Sequence, residues 1–230
     1  MQQIKPYVDS RLTHRCVYCD GEPDTGDHVP PRAFLDKPYP ANLPKVPSCQ
    51  ACNEGASLDE EYVSCLLEVA ACGSVRPEDL QRPGVARKLQ ANDGLRQRLA
   101  QALTSQGGRV AFVAEVERLS RVVEKVGRGL WAFETGEPTA LLIADVWFAA
   151  IPSLSKSDVA NFMTVGSSDV FPEVGSRRMF RHTIVEDKFL APAWQEVQAL
   201  RFSYAIEMSD GSCSVKMILR DYLVGRVSLG

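Results

Sequence analysis

The strongest constraint on this chain is the spacing of four cysteines. Cys16-Val-Tyr-Cys19 and Cys49-Gln-Ala-Cys52 are two Cys-x-x-Cys turns separated by 29 residues. Such a turn lets both sulfurs face one ion, and two of them complete the tetrahedral thiolate shell that Zn²⁺ favours. The competing readings are a redox dithiol, which needs no second pair, and four unrelated buried cysteines. The total of seven cysteines is odd, and MQQIKPYVDSRLTHRC lacks the apolar run of a signal peptide, so the expectation is reduced thiols in the cytoplasm. TALLIADVWFAAI is interrupted by Asp145 and is too short to span a bilayer, so no membrane association is expected. Residues 16–53, rich in Pro, Gly, Asp and Cys, read as loops and short strands held by a metal rather than by a core.

The stretch between the knuckles carries Gly26-Asp27-His28-Val29-Pro30-Pro31, with one of only three histidines beside an acid. Neighbours on a regular strand point to opposite faces. Asp27 and His28 therefore address one ligand only if the backbone departs from the strand, and the prolines supply the reason for it to do so. Asn53 follows the last cysteine, and Ser57-Leu58-Asp59-Glu60 has the form of a capping box. A helix is expected from about Leu58 to Cys72, with Tyr62, Cys65, Leu66 and Val69 on its apolar face and a stop at Gly73. Asp59, Glu60 and Glu61 read as helix-start acids favoured by the macrodipole.

Further helices are expected at 78–90, 94–105 and 110–133, punctuated by Arg82-Pro83-Gly84, Asn92-Asp93-Gly94 and Gln106-Gly107-Gly108. Beyond Gly136 the sequence turns strand-like, with its clearest hairpin at ALRFSYAIEM, SDGS and CSVKMILRDYLVG. The expected class is α+β: a zinc-stapled module over 1–75, then a region over 76–230 that is helical in its middle and β-rich at its end. Net charge is −3, which argues against nucleic acid, but residues 76–128 alone carry 11 basic and 6 acidic groups. Arg87, Lys88, Arg96, Arg98, Arg118, Arg121, Lys125 and Arg128 are the phosphate-binding candidates as a group, against the plainer reading of a solvated helical face. His14 reads as an exposed loop residue, Cys65 and Cys72 as packing residues, and His182 with Arg177, Arg178 and Arg181 as a solvated loop or a phosphate patch.

C16-V-Y-C19, D27-H28, C49-Q-A-C52-N53 and the helix after them resemble the HNH endonucleases, also called ββα-metal or His-Me finger. The likeness is to the zinc-stapled type found in phage junction resolvases. It extends to bacterial HNH proteins reading D-H-V-P-P, V-P-S-C-x-x-C-N and S-x-D-E-E-Y, and it covers residues 16–62. The resemblance implies an N-terminal ββα-metal module with structural zinc on Cys16, Cys19, Cys49 and Cys52. It further implies a catalytic Mg²⁺ or Mn²⁺ on Asp27 and Asn53, His28 as general base toward water, and Asn42 near the position that braces the base. DNA is then the expected substrate, cut to 5′-phosphate and 3′-hydroxyl ends, with a homodimer or a partner protein as a further expectation. Two alternatives stand beside it: a non-catalytic zinc module that binds nucleic acid or protein, and a nuclease active only with a partner protein.

Overall fold

The computed structural model describes residues 14–106, 109–112, 114–137, 143–166, 174–180, 183–185, 188–190, 194–209 and 212–230. In chain order the elements begin with strands β1 (Thr25–His28) and β2 (Lys45–Ser48), then helices α1 (Gln50–Gly55), α2 (Ser57–Cys72), α3 (Pro83–Ala91) and α4 (Asp93–Ala102). Strands β3 (Leu103–Gln106) and β4 (Arg109–Phe112), helix α5 (Val116–Thr135), strand β5 (Ile143–Ala150) and helices α6 (Lys156–Met163) and α7 (Arg177–Phe180) follow. The chain ends in strands β6 (Thr183–Val185), β7 (Lys188–Leu190), β8 (Gln195–Gln198), β9 (Phe202–Ser209), β10 (Ser212–Leu219) and β11 (Leu223–Leu229). The class is α+β. No helix among the described residues is long and apolar enough to cross a membrane.

Two compact units result. One contains residues 1–56 and 123–230, the other 57–122. Among the described residues, those up to Ala56 pack with those from Val123 onward.

In the first unit a five-stranded antiparallel sheet has the order β5-β11-β10-β9-β8. Alternation along the strands sends Val215, Met217 and Leu219 to one face together with their partners Val227 and Leu223, and all are buried. The second half of α5 lies on that face. Gly225 meets Val123 there, where an added Cβ would stand 3.1 Å from a valine methyl, and an added Cβ at Gly127 would stand 2.5 Å from one of Val227. The opposite face carries Ile218 and Val224, packed with Phe162 of α6 and flanked by Trp147 and Trp194. The expected second hairpin arm, CSVKMILRDYLVG, is in fact two strands. Arg220 and Asp221 both take left-handed φ (53° and 49°) and turn the chain back as β11.

The N-terminal segment is tied to this sheet at Asp36. Its carboxylate meets Arg201 and Arg220, and Gln198 both accepts the Asp36 amide at 2.8 Å and donates to the Asp36 carbonyl at 2.9 Å.

The second unit is built around α2, buried from Tyr62 to Ala70. The chain is already helical from Gln50, so Ser57 continues a helical run through Ala56 (φ −94°, ψ −6°) rather than opening one. The stop at Gly73 (φ 67°) matches expectation. The buried Glu68 accepts the backbone N–H of Arg82 at 2.8 Å, which places a carboxylate at the positive end of α3. The helix expected over 78–90 starts instead at Pro83, a residue suited to the first helical turn. Where continuous helix was expected on both sides of Gly107-Gly108, the β3–β4 hairpin intervenes.

Candidate metal centre and the residues around it

The first knuckle is a tight turn in which Asp20 N–H donates to Cys16 O at 2.9 Å and Cys16 N–H to Gly21 O at 2.7 Å, with Asp20 at φ 63°. Val17 N–H donates to Pro47 O at 3.1 Å, which docks this turn beside β2. The second knuckle opens α1: Cys49 is its N-cap, and its Sγ accepts the Cys52 N–H at 3.4 Å. Asp24 Oδ1 adds a bond from Gln50 N–H at 2.7 Å. Strand pairing and capping together bring all four Sγ atoms within 4.8 Å of one another, with Cys19 and Cys49 at 3.7 Å.

A tetrahedral ion with Zn–S bonds of about 2.3 Å separates its sulfurs by about 3.8 Å. The four side chains therefore fit a metal such as zinc. Burial raises the Cys16 thiol, yet backbone hydrogen bonds from Cys49, Tyr18 and Cys19 outweigh it and bring it down to about 7. Cys52 is raised by burial and by the crowding of Cys49 and Cys19, so one thiol is prepared to ionise while another waits for an ion.

Asp27 and His28 lie in regular β1–β2 pairing, opposite Val46 and Lys45. The strand ends at His28, where the prolines were expected to end it. Asp27 is buried at 6% exposure. Its Oδ2 receives the Tyr18 hydroxyl at 2.9 Å and the Lys125 ammonium at 2.8 Å. His28 is half-buried, with Nδ1 inside the fold. Its pKa is lowered by burial first, then by Arg32 and Lys45, while a Pro44 backbone hydrogen bond and Asp27 oppose the shift. Both cations are exposed. Asn53, on α1, directs Nδ2 to Thr25 Oγ1 at 3.4 Å, one strand repeat from Asp27. Asn42 is an exposed turn residue three positions before β2.

The structure thus brings the four cysteines together and sets Asn53 near β1. The residues set against Asp27 are ones the sequence did not single out for it: Tyr18, inside the first knuckle, and Lys125, on α5. Asp27 Oδ2, which already holds the Lys125 ammonium and the Tyr18 hydroxyl, offers no place to a hard divalent ion as the residues stand. Among the described residues the four cysteines are the group of three or more His, Cys, Asp or Glu side chains that converges on one point.

The basic segment is also engaged within the fold. Lys88 pairs with Glu61, Arg96 with Asp93, Arg98 with Glu115, Arg118 with Glu115 and Asp59, Arg121 with Asp59, and Arg128 with Glu124. Arg87 is exposed. Arg178 is buried and donates to Ile206 O, while Arg177 lies 4.2 Å over the Phe133 ring. Arg181 and His182 fall outside the described residues. His14 is exposed, and Cys65 is wholly buried, its thiol pushed up to about 11 by burial. Cys72 donates to Glu68 at 3.7 Å. Comparison of the chain with known protein families, characterised proteins and solved structures returns no match.

Proposed function

We propose that this protein is a zinc-stapled phosphodiester hydrolase of the HNH type, with DNA as substrate and His28 as the base that takes a proton from the attacking water. The observation that carries this reading is the placement of His28. It ends a short strand in a segment framed by four converging thiols, and it is part-exposed, opposite the exposed Lys45 and within the electrostatic reach of the exposed Arg32. A neutral imidazole is the form that accepts a proton. Burial first, and the two cations after it, favour the neutral ring, and the same cations are what a phosphate would approach. Zinc, held by Cys16, Cys19, Cys49 and Cys52, supplies folding energy and takes no part in the reaction. No step is assigned to Mg²⁺ or Mn²⁺, since Asp27 is paired with Lys125.

The buried Asp27, paired with the part-buried Tyr18 and Lys125, favours a second reading, a non-catalytic zinc module in which Asp27 serves packing alone. Supercoiled plasmid separates the two. Zinc-replete wild-type protein is expected to nick it, and His28→Ala, with zinc content unchanged, to lose roughly 10²- to 10⁴-fold in rate, the usual worth of a general base. Equal cutting by the variant eliminates His28 as the base, and no cutting by wild type with or without Mg²⁺ or Mn²⁺ selects the binding module.

A further inference from the structure

The acid expected to head a divalent-ion site already has a cation. Lys125 Nζ lies 2.8 Å from Asp27 Oδ2, in side chains only 10% and 8% exposed. The same ammonium stands 5.5 Å from the centroid of the Tyr18 ring, and the Tyr18 hydroxyl donates to the same carboxylate oxygen. Knuckle, strand and helix close a small internal circuit here. Its tightness is visible at Gly129 of α5, where a Cβ would stand 2.7 Å from a Val29 methyl and 2.9 Å from the Tyr18 hydroxyl.

A divalent ion entering this place must expel a buried ammonium and then find oxygen ligands. The nearest expected one, Asn53, turns its amide nitrogen to Thr25. Among the described residues no carboxylate converges with Asp27 into a three-ligand group. Mg²⁺ sheds its water reluctantly and demands a near-octahedral oxygen set, so one paired carboxylate is a poor offer.

We infer that Lys125 is the standing counter-cation of Asp27, so that Asp27 ligates no divalent ion in this protein and, among the described residues, the four thiols are the group that would hold a metal. The inference bears on the same site as the proposed hydrolase and departs from the Mg²⁺ or Mn²⁺ dependence that the sequence resemblance implies. It stands on the geometry of Asp27, whether or not the protein cuts DNA.

The test uses zinc-replete full chain, labelled with ¹⁵N, to which Mn²⁺ is added at millimolar concentration. Paramagnetic broadening erases amide signals close to a bound Mn²⁺. The amides of Tyr18, Asp27, His28 and Asn53 are expected to keep their intensity relative to a Mg²⁺ control. Selective loss of those four signals, reversed by excess Mg²⁺, overturns the inference. Plasmid cutting by the same preparation is scored in parallel, with and without added Mg²⁺ or Mn²⁺. Intact signals with no cutting remove the hydrolase reading and leave the counter-cation in place, whereas erased signals with cutting do the reverse.

Discussion

Replacing Lys125 with methionine removes the ammonium and keeps the stem, leaving Asp27 buried with only the Tyr18 hydroxyl. At 2.8 Å and an effective dielectric of about 20, the lost attraction is on the order of 6 kcal/mol, most of which offsets the desolvation of the two groups. The measurable cost of breaking a buried pair on one side is about 3–5 kcal/mol. Because Tyr18 stays and Asp27 can protonate, the lower end is expected. For a chain of this size each kcal/mol moves the melting point by about 2–4 °C, so Lys125→Met is expected to melt roughly 6–12 °C lower. Denaturant midpoints supply the free energy. The double variant Asp27→Asn/Lys125→Met, which removes both charges, is expected to recover most of it. Arg96→Met is the contrast: its pair with Asp93 is 40% and 71% exposed, and its loss is expected to cost under about 1 kcal/mol. A Lys125→Met cost as small as that of Arg96→Met, or no recovery in the double variant, refutes the reasoning.

Cys49→Ser is expected to abolish stoichiometric zinc, read by atomic absorption, and to collapse amide-exchange protection across 14–56, because Cys49 is both a metal ligand and the cap of α1. Retained zinc and protection would remove the metal centre. His28 is held below its ordinary value, so between its folded pKa and the unfolded 6.5 the unfolded chain binds more protons. Its contribution to stability is therefore present above pH 6.5 and is lost as pH falls through the folded pKa. Lys45→Gln is expected to move the His28 NMR titration upward, and a downward move contradicts the assigned cause. Gly129→Ala drives a Cβ into Val29 and Tyr18 and is expected to cost about 1–3 kcal/mol in chemical denaturation. Gly55→Ala, with nothing within 4 Å, is expected to be neutral or to gain about 0.5–1 kcal/mol.

The parts legible in the sequence were those written in local spacing. Each Cys-x-x-Cys turn, the span of α2 up to Gly73, the end of β1 at the prolines and the β9–β10 arms follow from residues near one another in the chain, and the repeat of the same turn 29 residues on is what points to the convergence of the four sulfurs. The turn at Arg220-Asp221 has no local signal in the sequence, because both residues adopt left-handed backbone without a glycine to mark it. The β3–β4 hairpin was overridden by the helical periodicity on either side. The cations of α5 show most clearly what spacing leaves out. Arg118, Arg121, Lys125 and Arg128 recur every three or four residues, the mark of a helix stripe, and the sequence offers that stripe to phosphate. The structure uses it on carboxylates: Arg118 and Arg121 with Asp59, Lys125 with Asp27, Arg128 with Glu124. Which acid meets which base is set by tertiary packing, and nothing in the local pattern of either one names its partner.

The clasp between Asp36 and Arg220 joins residues 184 positions apart. At a synthesis rate of about 5–20 residues per second, Asp36 is added to the chain roughly 10–40 s before its partner. Once Cys52 has been added both cysteine turns are complete, while α5 and the strands of the five-stranded sheet have still to be made. Metal capture is therefore the earliest long-range closure open to the nascent chain, and the same interval is when an oxidant or a competing soft metal meets the thiols least protected.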